Sequence, residues 1–352
     1  MVCSGAVILV ASYILASPIP PVMPYQEHLE PQLSFKPPSL TKGPASTSKF
    51  PTMISQQTLV NSLIAKIDGD AIKAHLVRLT QFPDRYYKSD NGVAAADWLV
   101  EQVNMLKPLV GAQVQLSVRQ FKHSDWKQPS VIARLEASNG GAADIVITGT
   151  HFDSLGRGSG HAEPNVNPAA DDCASGSSVI AETLRVLVSE KFVPFRPIEF
   201  HWYAGEEEGL LGSENVAQDY ASRKIDVFTY LNLDQSGYVK KGTKATIGII
   251  TDYVTKPATA FLRSTVAAYT TIGKGTDTSC GYACSDHASW YQHGYNSALA
   301  FESTFGNSNP YSDTVASNGA ALDTLDLIDY DHITEFVRST IGFVAELSLA
   351  PK

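Results

Sequence analysis

Hydrophobic positions along this chain alternate between two periods. At 70–79 and 92–106 apolar residues recur every three to four positions, the spacing of helices with one buried face. At 113–120 and 130–135 they alternate with polar residues, as in paired strands with one face in a core. Residues 144–148 form a short, nearly all-apolar run of the kind buried on both faces of a sheet. A helix follows at 177–191, with Val179, Ile180, Leu184, Leu187 and Val188 inward. Strands are expected at 197–203, 227–233, 245–251 and 297–302, and helices at 255–269 and 332–350. Strands alternating with helices over about 300 residues predict an α/β fold: one globular domain with a central mixed, mostly parallel sheet and helices on both faces. No internal repeat or linker interrupts residues 56–352.

Composition narrows the function. The chain has 352 residues, 43% hydrophobic and 18% charged, which suits a packed domain. Its 27 Lys and Arg against 36 Asp and Glu give a net charge of −9, which argues against nucleic acid or an anionic membrane as partner. No apolar run beyond residue 20 approaches the roughly 20 residues of a membrane span. Residues 6–16 are apolar and end on the small residues Ala16 and Ser17. Residues 1–17 therefore read as a signal peptide for secretion, and the Pro- and Ser-containing stretch 18–55 as a propeptide or flexible arm.

Polar residues gather where the apolar strands end, the place where open α/β sheets put their sites. His151 follows the run 144–148, and Asp153, two residues on, can accept the imidazole's other N–H. The plain alternative is a structural histidine in a turn. Asp171 and Asp172 precede the helix at 177–191. One of them could cap it, but adjacent aspartates cannot both face its amides. Glu206, Glu207 and Glu208 lie between Gly205 and Gly209. They repel one another unless solvated or neutralised by a cation, and one could bind metal while its neighbour faces a water. Asp234 ends the strand at 227–233. The segment 280–290 is rich in glycine, tyrosine and other aromatics, suited to shaping a pocket. Its Cys280 and Cys284 are spaced for a small-loop disulfide or a metal pair, and Cys173 is left over. A His, an Asp, a Glu and an Asp at successive strand ends are the donors expected of a hydrolytic zinc site, with one carboxylate bridging two metals.

These clusters occur in the order and spacing of a known family. The motifs at 149–154, 170–176, 203–213, 233–234 and 280–290 make the chain similar to the secreted bacterial and fungal leucine aminopeptidases of metallopeptidase clan MH, over about residues 56–350. The resemblance implies a zinc aminopeptidase with two Zn²⁺ per chain. His151 and Asp234 would bind one, Glu207 the other, and Asp172 would bridge them. Glu206 would be the general base and Asp153 the partner of His151. Cys280 and Cys284 would form the family's disulfide, beside an apolar specificity pocket of Tyr282, Leu299, Phe301 and Phe305. The expected substrates are peptides with a free N-terminus, cleaved by a secreted monomer. One departure stands out. Where the family carries a metal-binding His after Asn309 and Pro310, this chain has Asp313, followed by an apparent insertion at 315–322. If Asp313 takes that ligand position, the Glu207-side metal is held more loosely. The rivals are a one-zinc enzyme resembling the glutaminyl cyclases of the same clan, and a catalytically impaired peptide-binding homologue.

Overall fold

The computed structural model describes residues 49–155, 167–312 and 322–349. Eight strands form one sheet: β1 (Val114–Phe121), β2 (Ser130–Ala137), β3 (Ile145–His151), β4 (Ile198–Tyr203), β5 (Val227–Asp234), β6 (Gly248–Ile250), β7 (Thr276–Thr278) and β8 (Ser297–Phe301). Their order is β1-β2-β4-β3-β5-β8-β6-β7. The inner strands β4, β3, β5 and β8 run parallel, so their C-terminal ends lie side by side. Antiparallel partners flank this centre: β2 beside β4, and β6 beside β8. The expected mixed, mostly parallel sheet is present.

Period-2 side-chain alternation divides the core. Val131, Ala133, Val146, Phe200, Trp202, Leu231 and Leu233 face one side of the sheet, in the main apolar cluster. There they meet α1 (Gln57–Ile64), α2 (Gly69–Thr80), α3 (Asp90–Leu106), α4 (Gly176–Ser189), α6 (Lys256–Tyr269) and α8 (Tyr330–Ser348). The intervening residues Ile132, Ile145, Ile147, Tyr203 and Tyr230 join a smaller cluster with α5 (Leu211–Ser222) and α7 (His287–Gln292). Helices thus cover both faces. Among the described residues no helix is long and apolar enough to cross a membrane.

Most predicted elements appear within a few residues of their expected ends. The strand expected at 245–251 shrinks to the three residues of β6. The helices α1, α5 and α7 and the strand β7 are additions. Helix α5 escapes a periodicity test because its buried large side chains are only Val216 and Tyr220, among Gly, Ser and Ala. The end of the arm expected at 18–55 touches the body. The Phe50 ring lies tilted 4.7 Å from Phe228, and the N–H groups of Ser55 and of the adjoining Gln56 donate to Glu346 on α8. The signal segment 1–17 lies outside the described residues.

Candidate metal centre

Parallel pairing sets the level of the site. His151 pairs with Tyr203 across β3 and β4, and Asp234 with Phe301 across β5 and β8. Each strand then releases its chain into a loop at the same end of the sheet. His151 is last in β3, Asp234 last in β5, and Glu206 and Glu207 follow β4 by three and four residues. The turn Ala170–Ser175 enters α4 from above and carries Asp172.

These residues meet. The Nε2 of His151 stands 3.0 Å from Asp172 Oδ1 and 3.7 Å from Asp234 Oδ1. Ligand atoms of His151, Asp172 and Glu207 lie within 4.8 Å of one another. His151, Asp172 and Asp234 are all buried. Both ring nitrogens of His151 and Asp234 Oδ1 have no hydrogen-bond partner of acceptable geometry, which is costly for buried polar atoms. One imidazole and several carboxylates converging at this spacing fit a divalent metal, and zinc takes this N/O donor set.

Asp153 organises the centre. It is fully buried, and its Oδ1 lies 3.5 Å from His151 Nδ1. The same carboxylate accepts the backbone N–H groups of Glu206 at 3.1 Å and Glu207 at 3.3 Å. One side chain thus fixes the imidazole and the turn that presents both glutamates.

The electrostatics follow from this crowding. Burial alone would lower the His151 pKa. Its interactions with Cys173 and Glu206 first, then with Asp153 and Asp172, outweigh burial and hold it well above the usual histidine value, while burial pushes the Cys173 thiol up to about 11. Burial, then repulsion from Asp234, Asp286 and Asp172, pushes the Glu206 carboxyl well above the carboxylate range against the pull of His151. Burial raises Asp286 to about 7. A base crowded by negative charge is the environment a bound cation relieves.

Neither aspartate of the pair caps α4, whose N-cap is Ser175. Asp171 accepts Gly237 N–H and the Asn309 side-chain amide, while Asp172 accepts Gln235 Nε2 and faces His151. Asp323 accepts the N–H groups of both Asp171 and Asp172. On the other flank, the buried Arg85 donates four hydrogen bonds, to the carbonyls of Leu79, Phe152, Pro168 and Ala169. Arg85 and Asp323 carry no sequence signal, since each lies far along the chain from the loops it holds, and Asn309 is visible only as a landmark of the family motif. Asp286 is legible only as the residue before His287 in the aromatic loop.

A cavity of about 390 Å³ opens over the carboxylates, with Asp172, Glu206, Glu207 and Asp234 on its floor. Tyr282, Phe301, Phe305 and Cys284 form its wall. Cys280 and Cys284 are joined in a disulfide, with their Cα atoms 6.1 Å apart. Leu299 is buried with Ile250 and Phe301 behind this wall and does not line the cavity. His201 belongs elsewhere: it is buried between Glu199 and Tyr203 on β4. Asp313 lies outside the described residues.

Residues 130–344 match the family Peptidase M28. The chain is 39% identical over 312 residues to leucine aminopeptidase 1 of Coccidioides posadasii, covering 86% of this chain and 76% of that protein. Among solved structures it is similar to the LapA aminopeptidase of Legionella pneumophila, at 30% identity and a TM-score of 0.77, covering 87% and 78% of the two chains. LapB of the same organism gives 33% identity and a TM-score of 0.76, covering 87% and 79%. Motif order, fold, converging donors and sequence match agree: the chain belongs to peptidase family M28.

Proposed function

We propose that this protein is a zinc-dependent aminopeptidase that removes N-terminal residues, apolar ones preferred, from peptides. One observation carries the reading: an imidazole and carboxylates converge at the strand ends with Glu206 beside them, under a cavity with an aromatic wall. His151, Asp172, Asp234 and Glu207 would hold zinc, with two ions per chain. Asp313 is proposed as the remaining ligand of the Glu207-side ion, in the place of the family's His. Zinc held there supplies Lewis acidity, which lowers the pKa of bound water and polarises a carbonyl.

The chain's own groups do the rest. Glu206 takes the proton of the attacking water and returns it to the leaving amine, a role typically contributing about 10²–10⁴-fold. Asp153, by accepting the Glu206 N–H, fixes the turn that presents this carboxylate to the site. A free α-amine bound beside the metal ligands would restrict the enzyme to N-terminal residues. Tyr282, Phe301 and Phe305 receive an apolar side chain. The Cys280–Cys284 disulfide fixes the loop that carries Tyr282.

We further propose a secreted monomer acting on peptides, with residues 1–17 as signal, 18–55 as propeptide or arm and 56–352 as the catalytic domain. Support comes from the apolar leader and from the disulfide, a bond that persists in oxidising compartments. The test is release of leucine from leucine amide by purified protein, abolished by a chelator and restored by zinc. Protein that holds two zinc ions yet releases no leucine from the amide or from unblocked peptides overturns the activity.

A further inference from the structure

Cys173 follows the metal-facing Asp172, lies outside the disulfide and has no part in the mechanism above. We propose that Cys173 is a ligand to the metal held by His151 and Asp234, and that its sulfur gives this position a preference for thiophilic ions. The inference rests on the metal-centre reading and adds a donor to it.

The geometry carries the assignment. The Cys173 Sγ, a ring nitrogen of His151 and a carboxylate oxygen of Asp234 lie within 4.8 Å of one another. Ligand atoms around a tetrahedral zinc stand roughly 3.3–3.8 Å apart, so the three need only small movements to share one ion. All three residues are buried, and the nitrogens of His151 and Oδ1 of Asp234 lack hydrogen-bond partners. The sulfur is also held in place. Thr150 Oγ1 lies 3.0 Å from Sγ while its hydroxyl donates to the His151 carbonyl, and Sγ faces the Leu233 carbonyl at 4.0 Å. A Cβ at Gly176 would come within 2.7 Å of Sγ, so the glycine makes the room that the sulfur occupies.

The chemistry follows from softness. Oxygen and imidazole donors alone accept manganese and magnesium as well as zinc, whereas a thiolate favours zinc and cadmium. On ligation the Sγ–H bond breaks, its proton leaves to solvent, and the sulfur lone pair forms the bond to the metal, with no change of oxidation state.

The test loads the full chain with cadmium, cobalt or manganese and records near-ultraviolet difference spectra and metal affinities. Thiolate-to-metal charge transfer is expected with cadmium and cobalt, and is expected to disappear in Cys173→Ser and Cys173→Ala. The cadmium-to-manganese affinity ratio should fall at least about tenfold in Cys173→Ser. Should either variant fold poorly, Cys3→Ser in the chain that retains its signal segment decides: Cys3 lies in that segment, its replacement leaves Cys173 as the only thiol outside the disulfide, and the band must stay. Stoichiometric cadmium without the band overturns this assignment and leaves the aminopeptidase reading standing. A chain that takes up no metal overturns both.

Discussion

Replacing Asp153 with asparagine asks how much of the centre depends on one buried carboxylate. Its two oxygens serve the N–H groups of Glu206 and Glu207, and Oδ1 also faces His151 Nδ1 at 3.5 Å. Asparagine keeps one acceptor oxygen and turns the other position into a donor. If its oxygen faces Glu206, its NH₂ meets the Glu207 N–H; turned over, it meets the Glu206 N–H and the ring. Either way a part-buried N–H loses its partner, at about 1–3 kcal/mol. For a large domain that lowers Tm by roughly 2–10 °C. Separately, the imidazole loses the carboxylate that fixes its tautomer and strengthens it as a donor. Such losses cost about 10–100-fold in metal affinity, or roughly 1.4–2.7 kcal/mol. Two instruments separate the effects: thermal unfolding of chelated protein reads the first, and zinc competition against a chromogenic chelator reads the second. An Asp153→Asn protein with wild-type Tm and zinc affinity would refute the reasoning, because no orientation of the amide replaces both functions.

Four further outcomes are expected. Glu206→Gln should cut turnover by about 10²–10⁴-fold with metal content unchanged, whereas Glu207→Gln should lose metal; elemental analysis beside kcat tells them apart. Asp313→His should tighten the more weakly bound zinc in equilibrium dialysis, and an unchanged affinity would remove Asp313 from the ligand set. Asp323→Ala leaves the N–H groups of Asp171 and Asp172 without their acceptor, so calorimetry should show a loss of about 2–4 kcal/mol together with weaker zinc binding. His123 is buried neutral between Ser130 and Asn215, and burial lowers its pKa to about 4. The unfolded chain takes up that proton near pH 6.5 and the folded one does not. This contribution is therefore complete above pH 6.5 and falls by up to about 3 kcal/mol toward pH 4. Denaturant titrations of His123→Gln should show a shallower acid loss than wild type.

The sheet is largely legible because its inner strands are apolar on both faces. Runs such as Ile145–His151 and Val227–Asp234 leave few alternatives to a buried parallel strand. Short edge pieces such as β7, with three polar residues, have no periodicity to read. The clusters around His151, Asp172, Glu206, Glu207 and Asp234 are visible as polar interruptions at strand ends, and the family resemblance supplies their roles. What joins them is not visible. His151 and Asp172 are 21 positions apart, and only the crossover through α4 shows that they touch. The supports are more remote still. Asp323 reaches Asp172 across 151 residues, and a solitary aspartate near the C-terminal helix carries no local mark of that duty. Leu299 shows the reverse limit: an apolar residue beside a pocket and one behind its wall look alike in sequence.

The Arg85 guanidinium bonds to Phe152 on one side and to Pro168 and Ala169 on the other, so it staples the two ends of the stretch between them. The guanidinium is thus a fixed spacer between the His151 strand end and the Asp172 turn. A lysine, with one ammonium in place of a planar fork, could not reach these carbonyls at once, so the separation of the two chain ends is a property of this one side chain.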